Sequence, residues 1–209
     1  RAAGAGAAAP GAAPARALAR WGRGEPVRIR IWGPRGNGAA EAVEEALGRV
    51  QLEAIEAGRR VPTAVRGSLD ELAERLEIAG GTGSFAAAVV ARALDHDGVT
   101  IIDLGRDRRA ATVVRVAGES DAASALVAVV QCDEPPAPRA GFVDLHLGAV
   151  AVADLAALAA QLLDRAVPRR WAESLHRAAR GLPAVAAELC RLAAASADKG
   201  KKKRRRPRY

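Results

Sequence analysis

Aromatic residues are nearly missing from this sequence: three Trp, two Phe and one Tyr make up 3% of 209 residues, although half of the chain is apolar. The core must therefore consist of Ala, Val, Leu and Ile, a composition that suits helices packed closely on a Val- and Ile-rich sheet. The length fits one ordinary domain, or one domain with a small helical addition. The abundance of Ala and Arg predicts a bacterial source with a GC-rich genome.

The sequence also lacks Met, even at its first position, Arg1. We therefore expect a fragment or a processed product, with partner domains elsewhere in the same polypeptide. No apolar run approaches the roughly 20 residues of a membrane span, because the longest one, residues 149–163, is interrupted by Asp154 and Gln161. This pattern predicts a soluble protein without a membrane span, and the free thiols expected of its two cysteines fit a reducing cytoplasm.

Cysteine is scarce as well. Cys132 and Cys190 lie far apart in the sequence and in apolar contexts. This favours buried free thiols over a disulfide or a ligand role. The three histidines show no ligand spacing with the cysteines or with each other, so no metal site is predicted.

The formal net charge of +8 is confined to the end of the chain, where residues 199–208 include eight basic side chains. Residues 1–198 are therefore formally neutral. A basic run of this density predicts a disordered tail that binds nucleic acid without sequence preference, or another anionic partner. The tail residues proposed for this contact are Lys201, Lys202, Lys203, Arg204, Arg205, Arg206 and Arg208.

Strand-like and helix-like patterns alternate along the middle of the chain. Strands are predicted at 27–32, 61–65, 99–104, 112–116, 126–130 and 142–147, and helices at 39–57, 69–78, 86–94, 152–163, 169–180 and 183–195. Ser68 with Glu71 three residues later predicts a capping box. This order predicts an α/β fold, a mostly parallel sheet flanked by helices with a C-terminal helical lid. The predicted domains are a flexible Ala/Gly/Pro-rich linker (1–24), the α/β core (25–148), the lid (149–197) and the disordered basic tail (198–209).

A glycine-rich loop joins the first predicted strand to the first predicted helix. Its sequence GPRGNG, residues 33–38, fits the glycine frame of the P-loop pattern G-x-x-x-x-G-K-[ST]. In such a loop, backbone N–H groups and the helix N-terminus point together at a phosphate. The next residues are Ala39 and Ala40, where the pattern has a lysine for the phosphates and a hydroxyl for Mg²⁺. Losing such charge-assisted contacts costs about 1.5–3 kcal/mol each, so this loop is either a weak anion site or only a turn.

Four segments in order resemble the nucleotide-binding module of STAND NTPases, which is similar to the NB-ARC and AAA+-like signalling ATPases. Residues 33–40 stand where the Walker A loop should be, and Val99 to Asp103 resembles a Walker B strand followed by its acid. Residues 126–133 resemble the sensor strand. Gly181-Leu182-Pro183, between two helices, matches the G-L-P motif of the helical subdomain. The resemblance covers residues 27–195 and implies a P-loop NTPase-like fold.

Three catalytic parts of that module are missing together. Besides the two alanines, Leu104 follows Asp103 where many relatives carry a second acid, and Gln131-Cys132 ends the sensor strand instead of Thr/Ser-Arg. The resemblance therefore implies a non-hydrolysing regulatory or scaffolding module that binds another protein, other domains of its polypeptide or a second copy. This interpretation is favoured over an active NTPase, which would need a Lys or Arg from a partner subunit to replace the missing charge. The residues that could hold ATP/ADP or GTP/GDP without hydrolysis are Gly33, Gly36, Asn37, Gly38, Asp103 and Pro183. For Pro183, a plain helix start is an equal interpretation.

A winged helix at residues 68–116 is an alternative interpretation. Residues 84–96 would be its recognition helix, and the wing hairpin would surround Arg106, Arg108 and Arg109, whose guanidinium groups could contact DNA phosphates. Against it, residues 85–94 are almost entirely Ala and Val, with Arg92 as the one side chain that could read base edges. The second hypothesis is therefore a nucleic-acid-binding protein acting through the basic tail, with or without this winged helix.

Overall fold

The computed structural model describes residues 12–23, 25–78, 84–95 and 98–204. The strands are β1 (Val27–Gly33), β2 (Thr63–Gly67), β3 (Gly98–Gly105), β4 (Ala125–Gln131) and β5 (Val143–His146). The helices are α1 (Ala12–Trp21), α2 (Ala39–Glu56), α3 (Leu69–Arg75), α4 (Phe85–Leu94), α5 (Ala110–Gly118), α6 (Val152–Leu163), α7 (Arg169–Ala179) and α8 (Pro183–Arg204). The chain divides into two compact units: residues 1–35 with 39–147, and residues 36–38 with 148–209.

The sheet of the first unit has the strand order β2-β3-β4-β1-β5, and every neighbouring pair is parallel. Parallel strands require crossover connections; α2, the α3–α4 pair and α5 supply three of them, and residues 132–142 join β4 to β5 without a helix. The predicted α/β fold with a parallel sheet is confirmed.

The winged-helix prediction is wrong, because β3 is an interior strand of this parallel sheet and not part of a wing hairpin. The predicted strand at 112–116 is also wrong, since this segment lies within α5. Val113, Val114 and Ala117 are buried, a spacing that places them on one side of a helix. Packing of that side overrides the β propensity of the two valines.

The sheet is covered on both faces. Val127 and Val129 of β4 belong to a core cluster with α1 and α2, whereas Leu126 and Ala128 belong to a second cluster with α3, α4 and α5. Successive strand residues point to opposite faces. The uninterrupted apolar run of β4 is thus explained by burial on both sides.

The N-terminal segment is not a linker throughout. Residues 12–21 form α1, and Ala17 and Leu18 are buried in the cluster that contains α2 and the sheet. The prediction of a flexible linker over 1–24 is wrong for this stretch, because packing of Ala17 and Leu18 in the core supplies the tertiary contacts from which a short helix gains most of its stability. Residues 1–11 and 24 lie outside the described residues.

The capping box predicted at the start of α3 is confirmed. The Ser68 hydroxyl accepts a hydrogen bond from the backbone N–H of Glu71, and the Glu71 carboxylate accepts one from the backbone N–H of Ser68 at 2.7 Å. Each bond satisfies a backbone donor that has no partner within the helix. The hydrogen bonds from the Ser68 backbone and hydroxyl also hold the pKa of Glu71 below its ordinary value.

The second unit has its own core. Leu155, Leu175, Ala186 and Cys190 of the three helices α6, α7 and α8 are buried together. The backbone of α8 continues to Arg204 and residues 205–209 lie outside the described residues, so the disorder predicted for residues 198–209 stays a prediction. Lysine and arginine are good helix formers, and positive charge is favourable at a helix C-terminus. Among the described residues, no helix is long and apolar enough to cross a membrane.

Candidate nucleotide-binding site

The candidate site lies at the carboxyl ends of the parallel strands. Gly33 ends β1 opposite Gln131 of β4, and the N–H of Cys132 extends the pairing by donating to the carbonyl of Gly33 at 3.0 Å. The connection from β1 leads to β2 at one edge of the sheet, whereas the connection from the neighbouring strand β4 leads past β1 to β5 at the other edge, so the two connections leave in opposite directions. In open parallel sheets, ligands bind outside the carboxyl ends of the strands at such a switch point.

The glycine frame has a conformational cause. Gly36 and Gly38 have φ angles of +84° and +80°, a region that residues with a Cβ rarely occupy. Between them, Asn37 is buried, with 8% of its surface exposed. A loop of this kind is compatible with backbone N–H groups facing an anion, but its conformation alone does not require one.

The start of α2 differs from that of an NTPase. Ala39 is the first residue of the helix and is buried, and Ala40 is half-buried. No ammonium or hydroxyl group therefore projects from these two positions. Glu41 is exposed in the first turn, where its carboxylate interacts favourably with the helix dipole and disfavours a second anion.

Gly36 is held by the beginning of α8. Residues 36–38 group with the C-terminal unit, and the N–H of Ala184 donates to the carbonyl oxygen of Gly36 at 3.2 Å. A Cβ on Gly36 would lie 2.9 Å from Cγ2 of Val185. Pro183 is the first residue of α8. The structure thus brings two predicted site residues, Gly36 and Pro183, to the same place, and it gives Gly36 a packing role that sequence reasoning missed.

The G-L-P turn is also explained by packing. Gly181 has a φ of +73°, and its carbonyl accepts a hydrogen bond of 2.9 Å from the N–H of Val150. A Cβ at Gly181 would lie 2.7 Å from Cβ of Ala149 and 3.1 Å from Nε2 of His176. Only glycine fits here. Pro183 follows as the first helical residue, where the missing N–H is not needed.

Asp103 lies on β3, opposite Val129 of β4, and its side chain is exposed. It lines a polar cavity of about 500 Å³ together with Arg66, Gly67, Ser68, Glu71 and Arg75. The cations of this cavity already have protein acceptors: Arg66 donates to the Glu44 carboxylate and Arg75 to the carbonyl of Arg66, each at 2.7 Å. Sequence reasoning identified Asp103 but not these neighbours.

The even-numbered residues of β1 form polar pairs that sequence reasoning missed. Arg30 is buried and forms an ion pair with Asp144, its register partner on β5. The Trp32 ring stacks on His146, its own register partner, with the ring centroids 4.2 Å apart. The period-2 pattern of both strands is visible in the sequence, but their pairing is not.

Arg28, the remaining even-numbered residue, is buried at the other end of β1. Its guanidinium group donates to the backbone carbonyls of Ala117, Ala122 and Ser124, among others. Burial lowers the pKa of Arg28. An alternation of apolar and basic residues is typical of a half-exposed strand, yet here both sides are buried because backbone carbonyls satisfy the arginine.

The other predicted contacts stay predictions. The backbone of Lys201, Lys202, Lys203 and Arg204 belongs to α8, and Arg205, Arg206 and Arg208 lie outside the described residues.

Both cysteines are free thiols, with Cys190 buried and Cys132 half-buried. The part of the chain that the structure describes contains no group of three or more His, Cys, Asp or Glu residues that could hold a metal ion.

No protein-family model and no curated protein sequence matches the chain. Several solved structures are similar to it. The ORC1 protein of Aeropyrum pernix in complex with DNA is similar with a TM-score of 0.57 and 19% identity over 95% of this chain and 60% of that one. Cdc6p from Pyrobaculum aerophilum is similar with a TM-score of 0.51 and 17% identity over 84% and 56%. A STAND protein with a tetratricopeptide repeat sensor from Pyrococcus horikoshii has a TM-score of 0.48 and 13% identity over 77% and 27%.

The chain therefore spans 27–60% of the lengths of these proteins. Together with the strand order, the two likenesses of higher TM-score show a P-loop NTPase-like fold. At identities of 17% and 19% the similarity concerns the fold alone.

Proposed function

We propose that this chain is a STAND-like pseudo-NTPase, a regulatory or scaffolding module that keeps the nucleotide-binding fold without hydrolysing a nucleotide. The observation that carries the proposal is the start of α2, where Ala39 and Ala40 follow an intact glycine frame in a P-loop NTPase-like fold. Phosphoryl transfer needs a cation on the phosphates and a metal position, and these two side chains supply neither.

The binding free energy lost with the lysine and the hydroxyl is large enough that any nucleotide binding should be weak. Without two charge-assisted contacts of about 1.5–3 kcal/mol each, a site of about 1 µM affinity would weaken to about 0.2 mM or beyond. The carboxylate of Glu41 in the first turn of α2 disfavours phosphate further. We therefore propose that any bound ATP, ADP, GTP or GDP is held by backbone groups alone and independently of Mg²⁺.

Without catalysis, the remaining role is contact with another protein or with other domains of the polypeptide. Leu52 and Ile55 support this role, because they lie three residues apart on α2 with 55% and 60% of their surfaces exposed. Residues three apart are neighbours on a helix surface. An adjacent pair of exposed large aliphatic side chains suits a protein contact.

The experiment is a calorimetric titration of the full chain with the four nucleotides, with and without Mg²⁺, alongside an assay for released phosphate. We expect heats that fit dissociation constants of about 0.2 mM or weaker, no effect of Mg²⁺ and no phosphate. Phosphate release that the substitution Asp103→Asn abolishes would contradict the proposal.

A double variant sharpens the test. Restoring the pattern with A39K/A40T should tighten nucleotide binding by about tenfold or more and make it depend on Mg²⁺. The control A88K/A91T introduces the same two side chains at exposed positions of α4 and should leave binding unchanged. If both variants behave like the natural chain, the loop is only a turn and the nucleotide part of the proposal is wrong.

A further inference from the structure

The outward side of α7 carries four arginines that the proposed function does not use. Arg169, Arg170 and Arg177 lie on the helix and Arg180 is its C-cap, and all four are exposed. We call these four residues the α7 arginine surface. They span eleven residue steps, which correspond to about 16 Å of helix.

The α7 arginine surface and the buried residues of α7 lie on different sides of the helix. The buried residues Ala172, Leu175 and Ala179 follow each other at intervals of three and four, which places them along one side of the helix. Arg170 and Arg177 are seven residues apart and therefore lie about 10 Å apart along the opposite side. The arginines are thus presented to solvent by the same periodicity that builds the helical core.

Most of this positive charge has no carboxylate partner. Arg169 donates to Glu173 at 2.9 Å, whereas the side chains of Arg170, Arg177 and Arg180 make no ion pair or hydrogen bond with any residue that the structure describes. Elsewhere exposed arginines are commonly paired, as Arg115 is with Glu119 at 3.1 Å. Four cations against one anion leave the surface strongly basic.

Formal charge is also distributed unevenly along the whole chain. Residues 148–209 contain fourteen basic and five acidic side chains, whereas residues 1–147 contain eighteen basic and nineteen acidic ones. The excess of positive charge in residues 148–209 lies mostly in the basic run 199–208, since residues 148–198 contain six basic and five acidic side chains. Four of those six basic side chains form the α7 arginine surface, which is therefore a local cluster of positive charge. Clustered positive charge of this kind indicates a polyanionic partner.

We propose that the α7 arginine surface binds the phosphate backbone of nucleic acid, as a site separate from the basic C-terminal run. Guanidinium groups contact phosphate through two parallel hydrogen bonds. A duplex presents roughly nine phosphates over the length of α7, about 16 Å. Over that length the phosphates outnumber the four arginines, so a duplex can offer each arginine a phosphate partner.

The chemistry of the surface also indicates how it binds. It carries no Asn or Gln, and the hydroxyl of Ser174 already donates to the carbonyl of Arg170 at 3.0 Å. Arginine can contact either phosphates or guanine edges; with all four arginines assigned to phosphates, we expect binding to be independent of sequence. A membrane surface suits it less well. Trp171 is half-buried and Leu175 is buried, and α7 therefore offers no exposed apolar side to insert into lipid.

The experiment measures binding of the full chain to a fluorescein-labelled 25-base-pair duplex by anisotropy, between 50 and 200 mM salt. The test variant is R170Q/R177Q. The matched control, R92Q/R108Q, removes two exposed arginines that, like Arg170 and Arg177, have no ion pair or hydrogen bond with any residue that the structure describes. We expect the test variant to bind about tenfold more weakly and to lower the slope of log K against log salt by about two, while the control changes binding less than twofold.

A second comparison separates this site from the tail. The same substitutions are made in the background K201Q/K202Q/K203Q, where R170Q/R177Q should again lower both affinity and slope. Equal binding by R170Q/R177Q and the control would overturn the proposal. It would also be overturned if R170Q/R177Q left affinity and slope unchanged in the K201Q/K202Q/K203Q background. Competition by polyglutamate as effective as competition by unlabelled duplex would assign the surface to an acidic protein instead. Nucleotide titration is independent of these variants, so either proposal can fail without the other.

Discussion

Replacing Gly181 by alanine tests whether the turn before α8 is dictated by packing. The new methyl group would sit in a turn with a φ of +73°, 2.7 Å from Cβ of Ala149 and 3.2 Å from the carbonyl oxygen of Val150. The Ala149 methyl is attached directly to the backbone and cannot rotate away. The clash can therefore be relieved only if the backbone shifts and the hydrogen bond from Val150 N–H to Gly181 is strained.

The expected loss has two parts. A left-handed conformation costs a residue with a Cβ about 1–2 kcal/mol, and forcing a methyl group into a filled site costs about 1–3 kcal/mol more. We therefore expect Gly181→Ala to lower the free energy of unfolding by about 2–5 kcal/mol. Gly58→Ala is the matched control, since Gly58 has a φ of +61° and a Cβ added there would meet nothing within 4 Å. It should show only the conformational part, about 1–2 kcal/mol.

Urea unfolding followed by circular dichroism measures both variants. Because the two units could unfold separately, hydrogen exchange of the peptide that contains Val150 should be followed as well, and its protection should fall in Gly181→Ala but not in Gly58→Ala. Equal losses of stability in the two variants would refute the reasoning, since the steric part would then be absent.

Two further outcomes follow from titratable groups. Hydrogen bonds from Arg109 hold the pKa values of Asp70 and Asp107 below their ordinary values, so the stability they contribute is present above about pH 4 and is lost as the pH falls further. The difference in unfolding midpoint between the natural chain and R109Q should accordingly be largest near neutral pH and shrink below about pH 4; a constant difference down to pH 2 would contradict this. Burial raises the pKa of the Cys190 thiol, whereas Cys132 is half-buried. A thiol reagent at pH 8 should therefore modify Cys132 quickly and Cys190 slowly in the folded chain, and both quickly after denaturation. Equally fast reaction of both cysteines in the folded chain would contradict this prediction.

The parts of the fold that follow from local chemistry were predictable. The apolar run of β4 indicated a strand buried on both faces, and the Ser68 capping box placed the start of α3. The frame of Gly36 and Gly38 indicated a strand–loop–helix junction, because only glycine adopts such φ angles without strain. In the same way, the sequence alone shows that Ala39 and Ala40 follow this glycine frame in place of a lysine and a hydroxyl.

Secondary structure was predicted wrongly where a segment is buried by residues far from it in the sequence. The valines of α5 have β propensity but form a helix, because a parallel pair of strands needs a crossover there. The Ala-rich segment of α1 has the composition of a linker, yet Leu18 is fully buried against residues that follow it by tens of positions. No local pattern indicates which apolar residue will find such a partner.

The sequence by itself determined the residue types: a glycine frame without catalytic side chains, a basic C-terminal unit, and strands and helices that alternate. Only the tertiary structure decided the pairings, which are contacts between residues far apart in the chain. It set the strand order, the partner of Arg30 on β5, the contact of Gly36 with the start of α8 and the outward direction of the α7 arginines. The physical reason is that propensity acts within a few residues, whereas register and packing depend on burial shared by the whole unit.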